Sequence, residues 1–200
     1  MNNDIEVLQE NWMEQMLSNC ERKEVGIVGA RLYYSDNTIQ HAGLVIGIGG
    51  SLRGIGANLY QGMRRERSGY LHRAAFQMNY SAVTAALMMV KKEVYEKAGG
   101  FEEELSVAFN DVDFCLRVKE MGYLIVYDPL VEAYHYESKS RGAEDSPEKV
   151  ARFQSEIEFM RNRWENLLKK GDPNYNIHFS RVRADYSLGD PEVILRQNRK

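Results

Sequence analysis

The apolar residues of this chain are divided into runs no longer than a strand, and helical periods separate them. Residues 25–34 are apolar and β-branched enough for a strand. Ser35, Asp36 and Asn37 supply turn chemistry, and residues 39–48 return as a second strand, so the pair reads as a hairpin. Residues 81–90 hold few polar side chains, the pattern of a strand buried on both faces. Residues 123–127 and 131–136 read as short strands around Asp128 and Pro129, and residues 4–8 as a strand tail or turn. No run approaches the roughly 20 apolar residues that span a bilayer.

The helices carry their own punctuation. Residues 12–19 follow Asn11, with Glu14 at capping-box spacing. Residues 92–98 stop at Gly99 and Gly100, where glycine supplies a left-handed C-cap. Asn110 opens a helix over residues 111–121 that Gly122 ends; its Phe114, Val118 and Met121 form one apolar stripe. Ser146 and Pro147 are an N-cap and first-turn pair for a long helix to Lys170, with Gly171 as its stop. Between the strands, residues 49–73 carry five arginines (Arg53, Arg64, Arg65, Arg67, Arg73) against Glu66, and read as a long mobile loop. Residues 172–200 are tyrosine-rich and irregular. The expected architecture is α/β, with one domain over residues 1–145 and an appended helix and tail over 146–200.

Composition excludes several classes. A net charge of −3 is not a nucleic-acid-binding balance. Cys20 and Cys115 are too few for a disulfide framework and lie among helix formers, so they read as reduced core thiols of a cytoplasmic protein. The opening MNNDIEV lacks the features of a signal peptide. The arginine-rich loop is either a solvated segment or a contact for phosphate-bearing acceptors or an anionic membrane surface.

Three polar spots have donors for chemistry. Asp4 and Glu6 near the N-terminus are hard-cation ligands in type, or simply a polar terminus. Asp111 and Asp113 stand in the first turn of a helix, where the dipole favours carboxylates. Asp113 and Arg117 are spaced for an i, i+4 surface pair, which explains Asp113 better than Asp111. His135, Ser138, Ser140 and Arg141 form a strand-end group with donors suited to a metal-diphosphate, although a lone histidine is more often a satisfied polar group.

Taken in order, the acidic strand end, the hairpin with DNTIQHAG, SAVTAALMMVKKEVYEKAGGFEEEL, NDVDFCLR, H-x-E-S and DPNYN resemble the C-terminal, acceptor-side half of family 2 glycosyltransferases. These have the GT-A fold, and the likeness is greatest to bacterial rhamnosyltransferase-like members, over about residues 1–190. The resemblance implies a mixed sheet with flanking helices, without the nucleotide-binding half that precedes the D-x-D motif. It implies an inverting, metal-dependent enzyme that moves a sugar from a nucleotide-sugar donor to a glycan or lipid-linked glycan acceptor in surface polysaccharide assembly.

In this sequence Asp4 matches the second carboxylate of D-x-D and Asn2 replaces the first, which weakens a site for Mn²⁺ or Mg²⁺. Asp111 matches the catalytic base. His135 matches a late metal ligand, Arg141 and Ser138 fall to the donor diphosphate, and Asn110, Asp113 and His41 to the acceptor or the support behind it. The chain is then expected to be a fragment, inactive alone. A non-catalytic binding or scaffold module on the same fold is the alternative, and a metal-dependent hydrolase lacks a second acidic-histidine cluster. Finally, Val150, Phe153, Ile157, Met160, Trp164 and Leu167 follow heptad spacing, suited to a homodimer seam. Packing of that stripe back over the domain is the favoured expectation.

Overall fold

The computed structural model describes residues 1–49, 54–136 and 146–190. Its centre is a pair of long parallel strands, β2 (Val25–Tyr33) and β8 (Leu124–His135). The shorter strands line up along their outer edges. β1 (Ile5–Val7) and β6 (Met78–Tyr80) pair antiparallel with the two ends of β8, while β3 (Ile39–His41) and β7 (Met88–Val90) do the same for β2. β4 (Leu44–Ile46) and β5 (Gly56–Asn58) form a separate two-stranded ribbon. Helix α1 (Trp12–Cys20) covers one face; α2 (Lys92–Lys97), α3 (Asn110–Glu120), α4 (Pro147–Arg163) and α5 (Glu165–Lys170) follow among the described residues, and an irregular tail runs on from α5.

Every residue of β2 is buried, because both faces of the sheet are covered. Val28, Ala30 and Leu32 pack with Met16 and Cys20 of α1, whereas Ile27 and Tyr33 join the larger core on the other face. That alternation is the period of two of a strand. Gly26 is required here: a Cβ would stand 2.6 Å from Val118 Cγ1 and 2.8 Å from Tyr123 Cβ, so only glycine lets α3 approach. Both cysteines are free and buried.

Several sequence expectations need correction. The second half of the hairpin is interrupted. β3 pairs with β2, but the chain then leaves the sheet at Gly43, where φ is 92° and a Cβ would stand 2.1 Å from the Tyr80 ring, and β4 pairs with β5 instead. The segment 49–73 is not featureless, since Ile55, Leu59 and Tyr60 lie in the core and residues 70–72 make a 3-10 turn; Arg53 lies outside the described residues. Residues 81–90 are not a central strand. Thr84 caps a 3-10 turn over Ala85–Leu87, and only Met88–Val90 is strand, half-buried at an edge.

The two strands expected over 123–136 are one, β8. Between Ala30 and Arg31 of β2, β8 advances four residues, and Asp128 Oδ1 closes this bulge by accepting from Leu130 N. Asn11 occupies the N-cap position of α1 without a side-chain cap bond. The long C-terminal helix breaks at Trp164 into α4 and α5; Ser146 does cap α4, at 3.3 Å to Lys149 N. Ile157, Met160 and Trp164 of its stripe are buried in the larger core, while Val150 is 45% exposed. The stripe therefore packs back over the sheet. Asp113 is buried, not at the surface: its carboxylate holds Arg117 at 2.8 Å and Trp164 Nε1 at 2.9 Å, pinning α3 to the α4–α5 break. Among the described residues, no helix is long and apolar enough to cross a membrane.

Irregular segments are fixed by buried carboxylates. Asp172, just past α5, accepts from Ile46 N at 2.8 Å, Ser81 Oγ at 2.8 Å and Asn174 N at 2.7 Å. It joins the ribbon, the segment before the 3-10 turn and the C-terminal tail. Removing it strands a buried donor at Ile46, which costs more than the bond itself contributes. Asp172→Ala is expected to lose about 3 kcal/mol of stability, read as a lower urea midpoint with an unchanged slope.

Candidate functional site

A cavity of about 560 Å³ lies where the N-terminus, the 84–86 turn, the start of α3 and the end of β8 converge. Its polar wall includes Asn2, Asn58, Asn110, Asp111 and His135, and its apolar wall includes Met88, Tyr95, Phe101, Phe109 and Phe153. Residues 133 positions apart in sequence thus share one space.

Asp111 is placed by two elements. Its Oδ1 accepts from Val112 N at 2.8 Å and its Oδ2 from Ala85 N at 3.1 Å, so its own helix and the 84–86 turn beside it both hold the carboxylate. Asn110 Oδ1 accepts from Asp111 N at 2.7 Å, and Phe109 before it takes a left-handed φ of 64°. Burial pushes the Asp111 carboxyl above the usual carboxylate range, against the opposing pull of its hydrogen bonds. A carboxylate with a raised pKa in a cavity is a stronger base than a solvated one.

His41 stands behind the turn. It is fully buried, and burial lowers its pKa to about 4, so the ring is neutral at ordinary pH. Nε2 accepts from Thr84 N at 3.4 Å, which makes Nδ1 the donor to Asn58 Oδ1 at 2.6 Å. Through Thr84, the histidine supports the turn that holds Asp111. It is a positioning residue and does not line the cavity.

At the other end, β8 delivers His135 beside the N-terminal strand. Its Nε2 lies 3.3 Å from Asp4 Oδ1 and 3.3 Å from Asn2 Nδ2, and its Nδ1 lies 2.8 Å from Gln40 Oε1. Asp4 Oδ1 is buried and has no hydrogen-bond partner. An acceptor left so beside an imidazole nitrogen suits two donors to a divalent cation. Among the described residues, no group of three His, Cys, Asp or Glu forms a complete site. Ser138 and Arg141 lie outside the described residues. Asp113 is not in the cavity wall, being occupied with Arg117 and Trp164.

Comparison with known proteins adds a second kind of observation. No family model matches the chain. It is similar to an O-antigen biosynthesis protein. With RfbC of Myxococcus xanthus, which bears that description, it shares 34% identity over 188 residues, 94% of its length. An uncharacterized protein, y4gI of Sinorhizobium fredii, is 47% identical over 192 residues, 96% of the chain. An N-acetylglucosaminyl-diphospho-decaprenol L-rhamnosyltransferase of Mycobacterium tuberculosis is 27% identical over 81 residues, 40% of the chain. The chain spans 14% of the Myxococcus protein, 21% of the Sinorhizobium protein and 26% of the mycobacterial one.

Sequence reasoning missed the supports of the site. Thr84 was hidden inside an apparent strand, although a threonine two residues before a buried alanine suits a capping turn. Glu156 was missed too. It lies on the apolar stripe of α4, three residues after Phe153, and an acid in that place is the signal. It is buried, and accepts from Ser106 Oγ, Val107 N and Ala108 N at 3.2, 3.0 and 3.1 Å, fixing the loop that leads to Asp111. Phe153 stacks on Phe109 one turn away, with ring centroids 5.8 Å apart.

The depressed pKa of His41 has a measurable sign. The unfolded histidine takes up a proton near pH 6.5, whereas the folded one resists until about pH 4. Its stabilising contribution is therefore complete above pH 6.5 and lost as pH falls towards 4, by about 3 kcal/mol. Urea unfolding at pH 7 and pH 4.5 should show this loss in the parent and much less of it in His41→Gln; equal losses in the two proteins would refute it.

Proposed function

We propose that this chain is the acceptor-side part of an inverting family 2 glycosyltransferase of GT-A type, acting in bacterial surface polysaccharide assembly. It would transfer a sugar from a nucleotide-sugar donor to a glycan or lipid-linked glycan. The observation that carries the reading is the cavity that brings Asp111 together with Asn2 and His135, in a chain 34% identical over 94% of its length to an O-antigen biosynthesis protein. The mixed α/β architecture, a curled mixed sheet flanked by helices, is compatible with a nucleotide-sugar transferase fold.

Inversion requires an acceptor hydroxyl to attack the anomeric carbon from the face opposite the leaving diphosphate, losing its proton as it does so. In this reading Asp111 takes that proton. The Ala85 and Val112 N–H groups hold its carboxylate in one orientation, and burial raises its proton affinity. The apolar wall of Tyr95, Phe101, Phe109 and Phe153 limits water around the attacking hydroxyl. The donor diphosphate lies towards Asp4 and His135, with Ser138 and Arg141 assigned to it as well. Asp4 and His135 would hold a Mg²⁺ or Mn²⁺ ion whose remaining ligands come from the diphosphate; when bound, the ion offsets the charge of the leaving group.

One observation favours a non-catalytic module instead: Asn2 presents an uncharged amide where the resemblance expects a carboxylate. The two readings separate on Asp111. In the longer protein that contains this chain, Asp111→Asn should lower nucleotide release from a turned-over donor about 100-fold or more. In the parent, kcat/KM should fall at acid pH as Asp111 protonates. Because its pKa is raised, that limb should lie above the ordinary carboxylate value of about 3.9. Turnover of Asp111→Asn within a few-fold of the parent would select the non-catalytic module.

A further inference from the structure

Away from the cavity, two segments distant in sequence build one lobe. Tyr70 stacks on Tyr186 (5.5 Å between ring centroids, 18°) and meets Phe179 edge-on at 5.3 Å. Tyr60 N donates to Ala184 O at 2.9 Å. These contacts join the stretch around residues 60–76 to the tail at 175–189.

The outside of this lobe is unusual for a protein surface. Leu71 is 68% exposed, Phe76 59%, Ile177 50%, Val182 74% and Leu188 76%, with no described neighbour covering them. Scattered apolar residues need no explanation, but several around one aromatic cluster mark an interaction surface. Leu71 also adopts a left-handed φ of 48° and His72 one of 58°. A leucine in that conformation, pointing at water, adds nothing to the stability of the fold.

The charges between these side chains identify the partner. The segments 61–76 and 175–190 carry six arginines (64, 65, 67, 73, 181 and 183) against Glu66, Asp185 and Asp190, in a chain whose net charge is −3. Arg65 is turned to the sheet, 3.7 Å from Glu132 and 3.1 Å from Tyr134 Oη, which leaves five arginines for the lobe. The ion pairs within the lobe are loose and solvated: Arg64–Glu66 and Arg183–Asp185 are both 3.9 Å long. The Arg73 guanidinium lies over the Tyr186 ring, its Cζ 5.1 Å from the ring centre, a cation on an aromatic face at the edge of the lobe. A second copy would bring the same positive charge against itself.

We propose that this lobe docks on a bilayer surface bearing anionic lipid headgroups. Leu71, Phe76, Val182 and Leu188 enter the headgroup–acyl boundary and the arginines meet the phosphates. Docking of this kind is reversible, and no spanning segment is involved.

The test is sedimentation of the 200-residue chain with vesicles of phosphatidylcholine alone, or of phosphatidylcholine mixed equally with phosphatidylglycerol. Binding should favour the mixed vesicles about tenfold or more at low salt and be released at high salt. Leu71→Gly relieves the left-handed backbone while removing the apolar side chain, so it should keep or raise the thermal midpoint yet weaken binding about tenfold. Arg67→Ala should weaken it about fivefold. No pelleting with the mixed vesicles at low salt would overturn the proposal, as would pelleting that neither variant reduces. A concentration-dependent dimer in light scattering, dispersed by Leu188→Glu, would assign the surface to a second copy and overturn it as well.

Discussion

The parallel pairing of Val25–Tyr33 with Leu124–His135 is the contact on which the other parts of this molecule depend. With α1 on one face and the larger core on the other, neither strand can reach water along most of its length, so each polar group there must find a partner within the protein. Asp128, fully buried at the bulge of β8, meets that demand. It accepts from Asn19 Nδ2 at 2.8 Å, Gln15 Nε2 at 3.2 Å and Gln77 Nε2 at 3.3 Å, tying α1 and the approach to β6 to the centre of the sheet. Beyond the bulge, β8 runs on to bring His135 against the N-terminal strand, where Asp4 lies.

A second layer of order comes from carboxylates that lie inside the protein and accept from backbone N–H groups. Asp172 does this for β4 and the tail, and Glu156 for the loop at 106–108. Charge-assisted hydrogen bonds of this kind fix segments that have no regular structure of their own. They also place the cavity. Glu156 holds the loop that ends at Phe109, the strained residue there turns the chain into α3, and the first turn of α3 presents Asp111 to the 84–86 turn. The helix expected to be an appendage therefore builds one wall of the site, and Ile157, Met160 and Trp164 share the core of the sheet.

Electrostatically, the cavity combines two unlike ends. At one, Asp111 is raised by burial and backed by a histidine that stays neutral because it is buried too. At the other, His135 is in the lining and stands 3.3 Å from Asp4, which is not in the lining and has one carboxylate oxygen unpartnered. The basic, apolar lobe lies outside this cavity and does not share its lining.

Local chemistry was enough to read where most helices end, though not the break of the C-terminal helix at Trp164. Gly99, Gly100, Gly122 and Gly171 all take the positive φ that ends a helix, and Ser146 with Pro147 starts α4 as capping preference dictates. The Asp111 position at a helix start and the hairpin turn were also legible, because each depends on neighbours within a few residues. Strand identity was not. Residues 81–90 are apolar enough for a central strand, yet Thr84 turns there because its partners, His41 and Asp111, come from elsewhere in the chain. Asp113 and Arg117 have the spacing of a surface pair, but with Trp164 packed against it the Asp113 carboxylate is buried and Arg117 is half-buried. Periodicity reports which residues prefer to leave water, not which element will cover them. The second choice belongs to long-range packing, and here it decided where the sheet, Asp111 and its supports stand.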